Sequence, residues 1–289
     1  MLYQRQKELL YLIAILGKAG KTQLQKLTYL ANLNRKVHSY DFLPYKYGPF
    51  SFILQNDLDY LVKNNYIKFI NDKYIALIDD NYTLPTLSKE NIDLVFKLYS
   101  KMTNIELMQF VYREHPFYAI NSNKAKDILT KKELKQVEKL KPSSNDSCLF
   151  TIGYEHKNID KYLCMLIENN IKVLIDVRAV NLSMKKEFSG RNLSNFCKQI
   201  KIEYMHIPEL GISTELRRKI TDKKELFNIY TEEILPLHTS AVKIIEQLLS
   251  KYQRVALTCF EANKNECHRS ILADKVISNL KNKCLLEHL

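Results

Sequence analysis

The stretch "IKVLIDVR", Ile171 to Arg178, decides the fold of the second half of the chain. It follows Asn169-Asn170, runs apolar without alternation from Val173 to Ile175 after Lys172, and closes on Asp176 and Arg178. A short continuous run of Val, Leu and Ile is the pattern of a strand covered on both faces. "CLFTIGY" (148–154) and "RVALTCF" (254–260) repeat it. Helical spacing fills the gaps, at "NIDKYLCMLIENN" (158–170), at 191–200, at 222–234 and 237–251, and at "ECHRSILADKVISNL" (266–280). "EYMHI" (203–207) adds a short strand. Strands alternating with helices predict an α/β domain with a mostly parallel sheet. In such sheets ligand-binding groups collect at the carboxyl ends of strands. Those ends carry Gly153 and Tyr154, Asp176 and Arg178, and Cys259 and Glu261.

The first half is patterned differently. Apolar spacing predicts helices over 3–16, over 23–33 behind a Thr22 cap, and from a Ser51 cap to Lys63. "YDFLPYKYGPFS" (40–51) reads as an aromatic loop. "YIKFINDKYIALI" reads as a hairpin turning at Asn71-Asp72. Three helices and a two-stranded wing predict an α+β winged-helix-like domain over 1–86. A helical extension and linker would cover 87–147, with the boundary in "KLKPSSNDS", and the α/β domain 148–289.

Length and composition bound the rest. The chain has 289 residues, 46% of them hydrophobic, enough for two cores. The longest apolar stretch, Leu9 to Leu16, is too short to span a bilayer, and no secretory cleavage site follows it. The six cysteines are scattered and do not read as a disulfide framework, so a reducing cytoplasm is expected. The net charge of +12 is compatible with a nucleic-acid partner and is spread over both halves.

"TIGYEHKNIDKYL", "LIDVRAV", "IEYMHIPELG" and "LTCFEANKNECHRSILAD" occur in that order over 149–280. In these segments the second half resembles the domain of unknown function 488 family. The resemblance implies a further strand after the last helix, often with a histidine; "KNKCLLEHL" leaves room for a short or incomplete one. The family's "DVR" is often followed by a proline and basic residues; "DVRAVNLSMKKEF" keeps the lysines and lacks the proline. "LQKLTYLAN", "YGPFS" and "DLDYLVKNNYI" are similar to winged-helix modules and to an antitoxin-like family built on a helix, "YGP" and a helix. The combination implies nucleic-acid transactions or phage defence.

"LTCFEANKNECHRS" (257–270) is the most chemical segment. Its Cys259, Cys267 and His268 are zinc-type ligands, but C-x7-C-H is not a knuckle spacing. Adjacent residues on a helix also diverge by about 100°. No metal and no cofactor are expected. A thiolate at Cys259 could be activated by His268, Arg269 and a helix N-terminus, although the intervening loop lacks glycine. The most economical reading is an anion site: Arg178 and Arg269 clamp a phosphate, with Asp176 and Glu261 as acid-base groups. Cys267 shapes the pocket, Glu209 offers a second carboxylate, and Tyr154 either stacks a base or sugar or simply packs. The bland alternative is buried Asp–Arg or Glu–Arg pairs that tie the sheet edge. In the first half, Lys21, Lys26, Arg35, Lys46, Tyr47, Lys68 and Lys73 form the expected nucleic-acid surface, with protein contact as the competing use. The sum is a nucleic-acid-associated protein whose α/β domain binds a phosphate-bearing ligand and hydrolyses or modifies nucleotides or nucleic acid. The alternative is a non-enzymatic regulator or antitoxin-like adaptor.

Overall fold

The computed structural model describes residues 2–33, 35, 38–77, 84–144, 146–280 and 283–289. The chain divides into two compact units, Met1–Lys141 and Pro142–Leu289.

In the first unit, α1 (Gln4–Leu16) buries Leu9, Leu10, Leu12 and Ile13, and α2 (Lys21–Leu33) buries Leu24, Leu27 and Leu30. The aromatic segment expected as a loop is instead a short antiparallel ladder, β1 (Leu43–Tyr45) with β2 (Gly48–Phe50). Gly48 makes it possible. Its φ is +99°, and an added Cβ would lie 2.6 Å from the Tyr112 ring. Ser51 caps α3 (Phe52–Lys63), accepting from the Leu54 amide at 3.1 Å. The Gln25 side chain brackets the Ser51 backbone with bonds of 3.0 and 2.8 Å, which fixes where α3 starts on α2. β3 (Ile67–Ile70) and β4 (Lys73–Ala76) form the hairpin, with Asn71 and Asp72 both at positive φ as a type I′ turn needs. Ala19 bridges to Tyr74 of that hairpin through two backbone bonds. Helices α4 (Thr86–Tyr99), α5 (Asn104–Glu114), α6 (Ala125–Ile128) and α7 (Lys131–Lys139) share the same core, through Ile92, Val95, Leu107, Val111 and Val137.

The second unit is α/β. Its elements are β5 (Cys148–Gly153), α8 (Ile159–Glu168), β6 (Val173–Asp176), α9 (Gly190–Gln199), β7 (Glu203–His206), α10 (Thr214–Lys219), α11 (Lys223–Ile229), α12 (Leu235–Leu237), α13 (Thr239–Tyr252), β8 (Arg254–Cys259), α14 (His268–Asn279) and β9 (Leu285–His288). The sheet order is β7-β6-β8-β5-β9 and every pairing is parallel. The tail does form a strand. β9 pairs with β5, and His288 Nδ1 lies 2.8 Å from Thr151 Oγ1. One sheet face, with Val173, Ile175, Val255 and Leu257, packs with Tyr230, Val242, Ile245, Leu272 and Val276. On the other face the hydroxyl of Tyr162, in α8, donates to Thr258 at 2.7 Å. The helix expected over 222–234 changes to a π-helical turn at Tyr230–Ile234. All six cysteines are free thiols. Among the described residues, no helix is long and apolar enough to cross a membrane.

Candidate functional site

Strand alternation sorts the charged residues at the carboxyl end of the sheet. Asp176 on β6 is the register partner of Thr258 on β8. Partners on parallel neighbours point to the same face, and successive residues alternate. Asp176 therefore faces the α8 side and Cys259 the opposite side. The single cleft expected from the sequence is two networks on opposite faces.

The first network is closed. Arg178 donates through Nε to Asp176 Oδ1 at 2.8 Å, through Nη1 to the Tyr154 hydroxyl at 2.7 Å, and through Nη2 to the Phe188 carbonyl at 2.9 Å. A Tyr204 hydroxyl fills Asp176 Oδ2 at 2.8 Å. His206 Nε2 meets the Arg178 carbonyl at 2.7 Å. Asp176 is fully buried and Arg178 is 6% exposed. Burial opposes the Arg178 charge, but bonding to Asp176 and its field outweigh that and hold the guanidinium above its ordinary pKa. The expectations for Asp176, Arg178 and Tyr154 are corrected here. The guanidinium is spent on internal acceptors and the carboxylate cannot reach a substrate. The Tyr154 ring is stacked on Phe188 at 4.5 Å, so no base can stack there.

The second network surrounds the end of β8. Arg269 is 1% exposed and donates to the carbonyls of Glu261 and Ala262 at 2.6 and 3.1 Å. It fastens the loop instead of clamping a phosphate, a second correction. Gly153 admits this loop: an added Cβ would lie 1.8 Å from the Glu261 carbonyl oxygen. The close approach expected for a ligand is made by the protein's own backbone. Cys267 is not helical. It is the N-cap of α14, at φ −133° and ψ 133°. The 100° divergence therefore does not apply, and its Sγ lies 3.9 Å from His268 Nδ1. His268 Nε2 lies 3.0 Å from the Val177 carbonyl, which fixes that nitrogen as a donor. The ring edge packs on Tyr230 at 5.1 Å. Glu261 Oε2 accepts from the Cys259 thiol at 3.2 Å. Arg217 completes the group, 3.4 Å from Glu261 Oε1 and 3.3 Å from His268 Nδ1.

These groups perturb one another. Hydrogen bonding to Cys267, followed by burial, pushes the Cys259 thiol well above its ordinary pKa. Burial pulls Cys267 the same way, but the Cys259 bond, the His268 bond and the nearby positive charge win and hold it below the usual thiol range. Burial, followed by the Cys267 charge, raises Glu261 above the ordinary carboxylate range. Cys259, Cys267 and His268 are at most 2% exposed, whereas the Glu261 and Arg217 side chains are 20% and 37% exposed and form the solvent-facing rim.

Residues 158–276 match the family model described as Domain of unknown function DUF488. No curated protein and no solved structure matches the chain. The DUF488 match contains the whole second network, from Arg217 to Arg269, and also Asp176 and Arg178. β5, with Gly153, precedes it, and β9 follows it.

Glu209 is exposed on a short turn after β7. Arg217 and Tyr204 were not singled out in the sequence; "ELRRK" offered a basic cluster, but nothing that placed one arginine against Glu261. In the first unit, Lys21, Lys46, Tyr47 and Lys68 are exposed and Lys73 is partly so. Lys26 and Arg35 are corrections. Lys26 is 1% exposed beside Gly48 and Tyr112, and burial draws its pKa down to about 7. The Arg35 side chain is 8% exposed and paired with Glu8 at 2.7 Å. Neither presents its charge to a phosphate.

Proposed function

We propose that the α/β unit is a hydrolase or modifying enzyme for nucleotides or nucleic acid, with its reactive centre at Cys259, Glu261, Cys267 and His268. The observation that carries this reading is Glu261. Its carboxyl group is at the solvent-facing rim, touches Cys259 and Arg217, and has a raised pKa, the direction that favours general acid-base work. An anionic substrate fits the surrounding field. Lys157 holds the Gly153 carbonyl at 2.9 Å, next to Cys259 in register, and its pKa is lowered by burial and then by the positive charges of Arg269, Lys161 and Lys185. Arg217 is the guanidinium with an exposed side, so it takes the phosphate-contacting role first assigned to Arg178 and Arg269.

The first unit, in this reading, is a winged-helix-like module that delivers nucleic acid through Lys21, Lys46, Tyr47, Lys68 and Lys73. The helix order and the Ala19–Tyr74 bridge joining the hairpin to the α1–α2 link support it. A cytoplasmic setting and a role in phage defence belong to the same proposal.

The test is product release from a panel of mononucleotides and single- and double-stranded oligonucleotides. Glu261→Gln should lose about 100-fold or more in kcat while still binding. Equal kcat in native chain and variant would remove Glu261 from the chemistry. Binding to oligonucleotides should weaken as salt rises, and Lys46→Glu with Lys68→Glu should flatten that slope. A chain that binds no nucleic acid at low salt would leave the adaptor alternative.

A further inference from the structure

The second network carries a ligand set that sequence spacing conceals. Cys259 Sγ, Cys267 Sγ and a His268 ring nitrogen all lie within 4.8 Å of one another, and all three residues are buried. The Cys267-to-Nδ1 separation is 3.9 Å. A tetrahedral zinc ion with its ordinary bond lengths sets a sulfur–nitrogen edge of about 3.6 Å and a sulfur–sulfur edge of about 3.8 Å. Small side-chain rotations close the difference.

We propose that Cys259, Cys267 and His268 bind one zinc ion, with the fourth position open toward Glu261 and Arg217. Three features prepare the site. First, His268 Nε2 donates to the Val177 carbonyl, which leaves Nδ1 as the atom able to ligate. Such a backbone acceptor on the far ring nitrogen is the usual support of a metal-bound histidine. Second, the extended N-cap conformation at Cys267 and the Tyr230 ring set the two neighbouring ligands side by side. Third, charge closes: both sulfurs bind as thiolates, any thiol proton leaves to solvent, and the two charges balance the dication. Glu261 and Arg217 already pair with each other, and Arg269 is fixed on two carbonyls.

Metal binding has one local cost. Arg217 Nη2 now occupies His268 Nδ1 at 3.3 Å and must release it. That side chain is partly exposed and keeps Glu261 as a partner, so it is free to turn toward an anionic ligand. Three protein ligands with an open fourth position are the pattern of a catalytic rather than a structural zinc site. A carboxylate beside that position, not itself a ligand, suits proton transfer from a bound water. The metal site stands on ligand geometry alone; only the use of its fourth position rests on the function proposed above.

The test uses the full chain, purified from zinc-supplemented culture and analysed for metal by mass spectrometry. One zinc per chain is expected. Cobalt(II) exchanged into the same protein should give thiolate charge-transfer bands and intense tetrahedral d–d bands. Cys259→Ser and Cys267→Ser should each lower zinc content about 10-fold. Cys197→Ser, a buried cysteine of α9, should retain it. Because the serine variants could misfold, the cobalt spectrum of the native chain decides independently. A native chain that takes up neither zinc nor cobalt, or serine variants that bind as much zinc as the native chain, would overturn the site. Zinc without turnover on any nucleotide would sink the proposed function and leave the metal site standing. Turnover that Glu261→Gln abolishes, in a chain without metal, would do the reverse.

Discussion

Two polar networks lie at the same end of one sheet, and they differ in what is left over. Around Asp176, every strong donor meets an internal acceptor: Arg178 serves Asp176, Tyr154 and Phe188, and Tyr204 completes the carboxylate. Around Cys259, one thiol is pushed above its ordinary pKa and its neighbour held below it, a carboxyl group has a raised pKa, and an arginine reaches solvent. A saturated buried network fixes a fold, whereas an unsaturated one at the rim is equipped for chemistry. Residue types alone do not separate them, since both contain carboxylates and arginines.

That contrast breaks first at Arg178. Arg178→Ala would take from the buried Asp176 its guanidinium partner, and should cost the α/β unit about 3–5 kcal/mol. Chemical denaturation of the full chain, followed by a probe in that unit, measures it. A loss near zero would mean that the pair does not hold the fold. Tyr204→Phe removes one bond to the same carboxylate and should cost about 1.5–3 kcal/mol. The same curves would expose a neutral effect.

The second network should respond in the opposite sense. Glu261→Gln exchanges a half-screened ion pair for an amide and should change stability by less than about 1 kcal/mol, although it is expected to stop turnover. A smaller effect follows from pH. The folded-state pKa of Glu261 is raised, so its contribution to stability is present below the unfolded carboxylate pKa and is lost as pH rises through the folded value. Stripped of metal, the native chain should therefore lose a little stability over that window relative to Glu261→Gln treated in the same way. Melting curves of the two proteins that keep a constant offset across it would contradict the raised pKa.

Much of the architecture is legible in the sequence. The apolar runs ending in Gly153, Asp176 and Cys259 specify parallel strands because burial on both faces leaves no polar alternation. Register was not legible. Asp176 and Cys259 fall on opposite faces once Asp176 is set against Thr258, but that pairing is a tertiary fact. Other features depend on backbone that patterns do not encode. The extended N-cap at Cys267 brings together two side chains, Cys267 and His268, that helical geometry would separate. The ladder at Leu43–Phe50 forms despite two prolines, because Gly48 adopts a positive φ under Tyr112. Arg217 reaches Glu261 from a short helix 44 positions away, a contact that no local signal announces. Lys26 shows the converse. A lysine in a basic region reads as surface, and only packing shows that it is buried.

The division of labour between the two networks is tested most directly by comparing kcat for Glu261→Gln and Tyr204→Phe, in the full chain, on the substrate that the nucleotide panel identifies. Glu261→Gln is expected to lose about 100-fold or more while melting like the native chain, and Tyr204→Phe to keep its kcat while melting at lower temperature. Full activity in Glu261→Gln, with activity lost in a still-folded Tyr204→Phe, would contradict it and return the chemistry to Asp176.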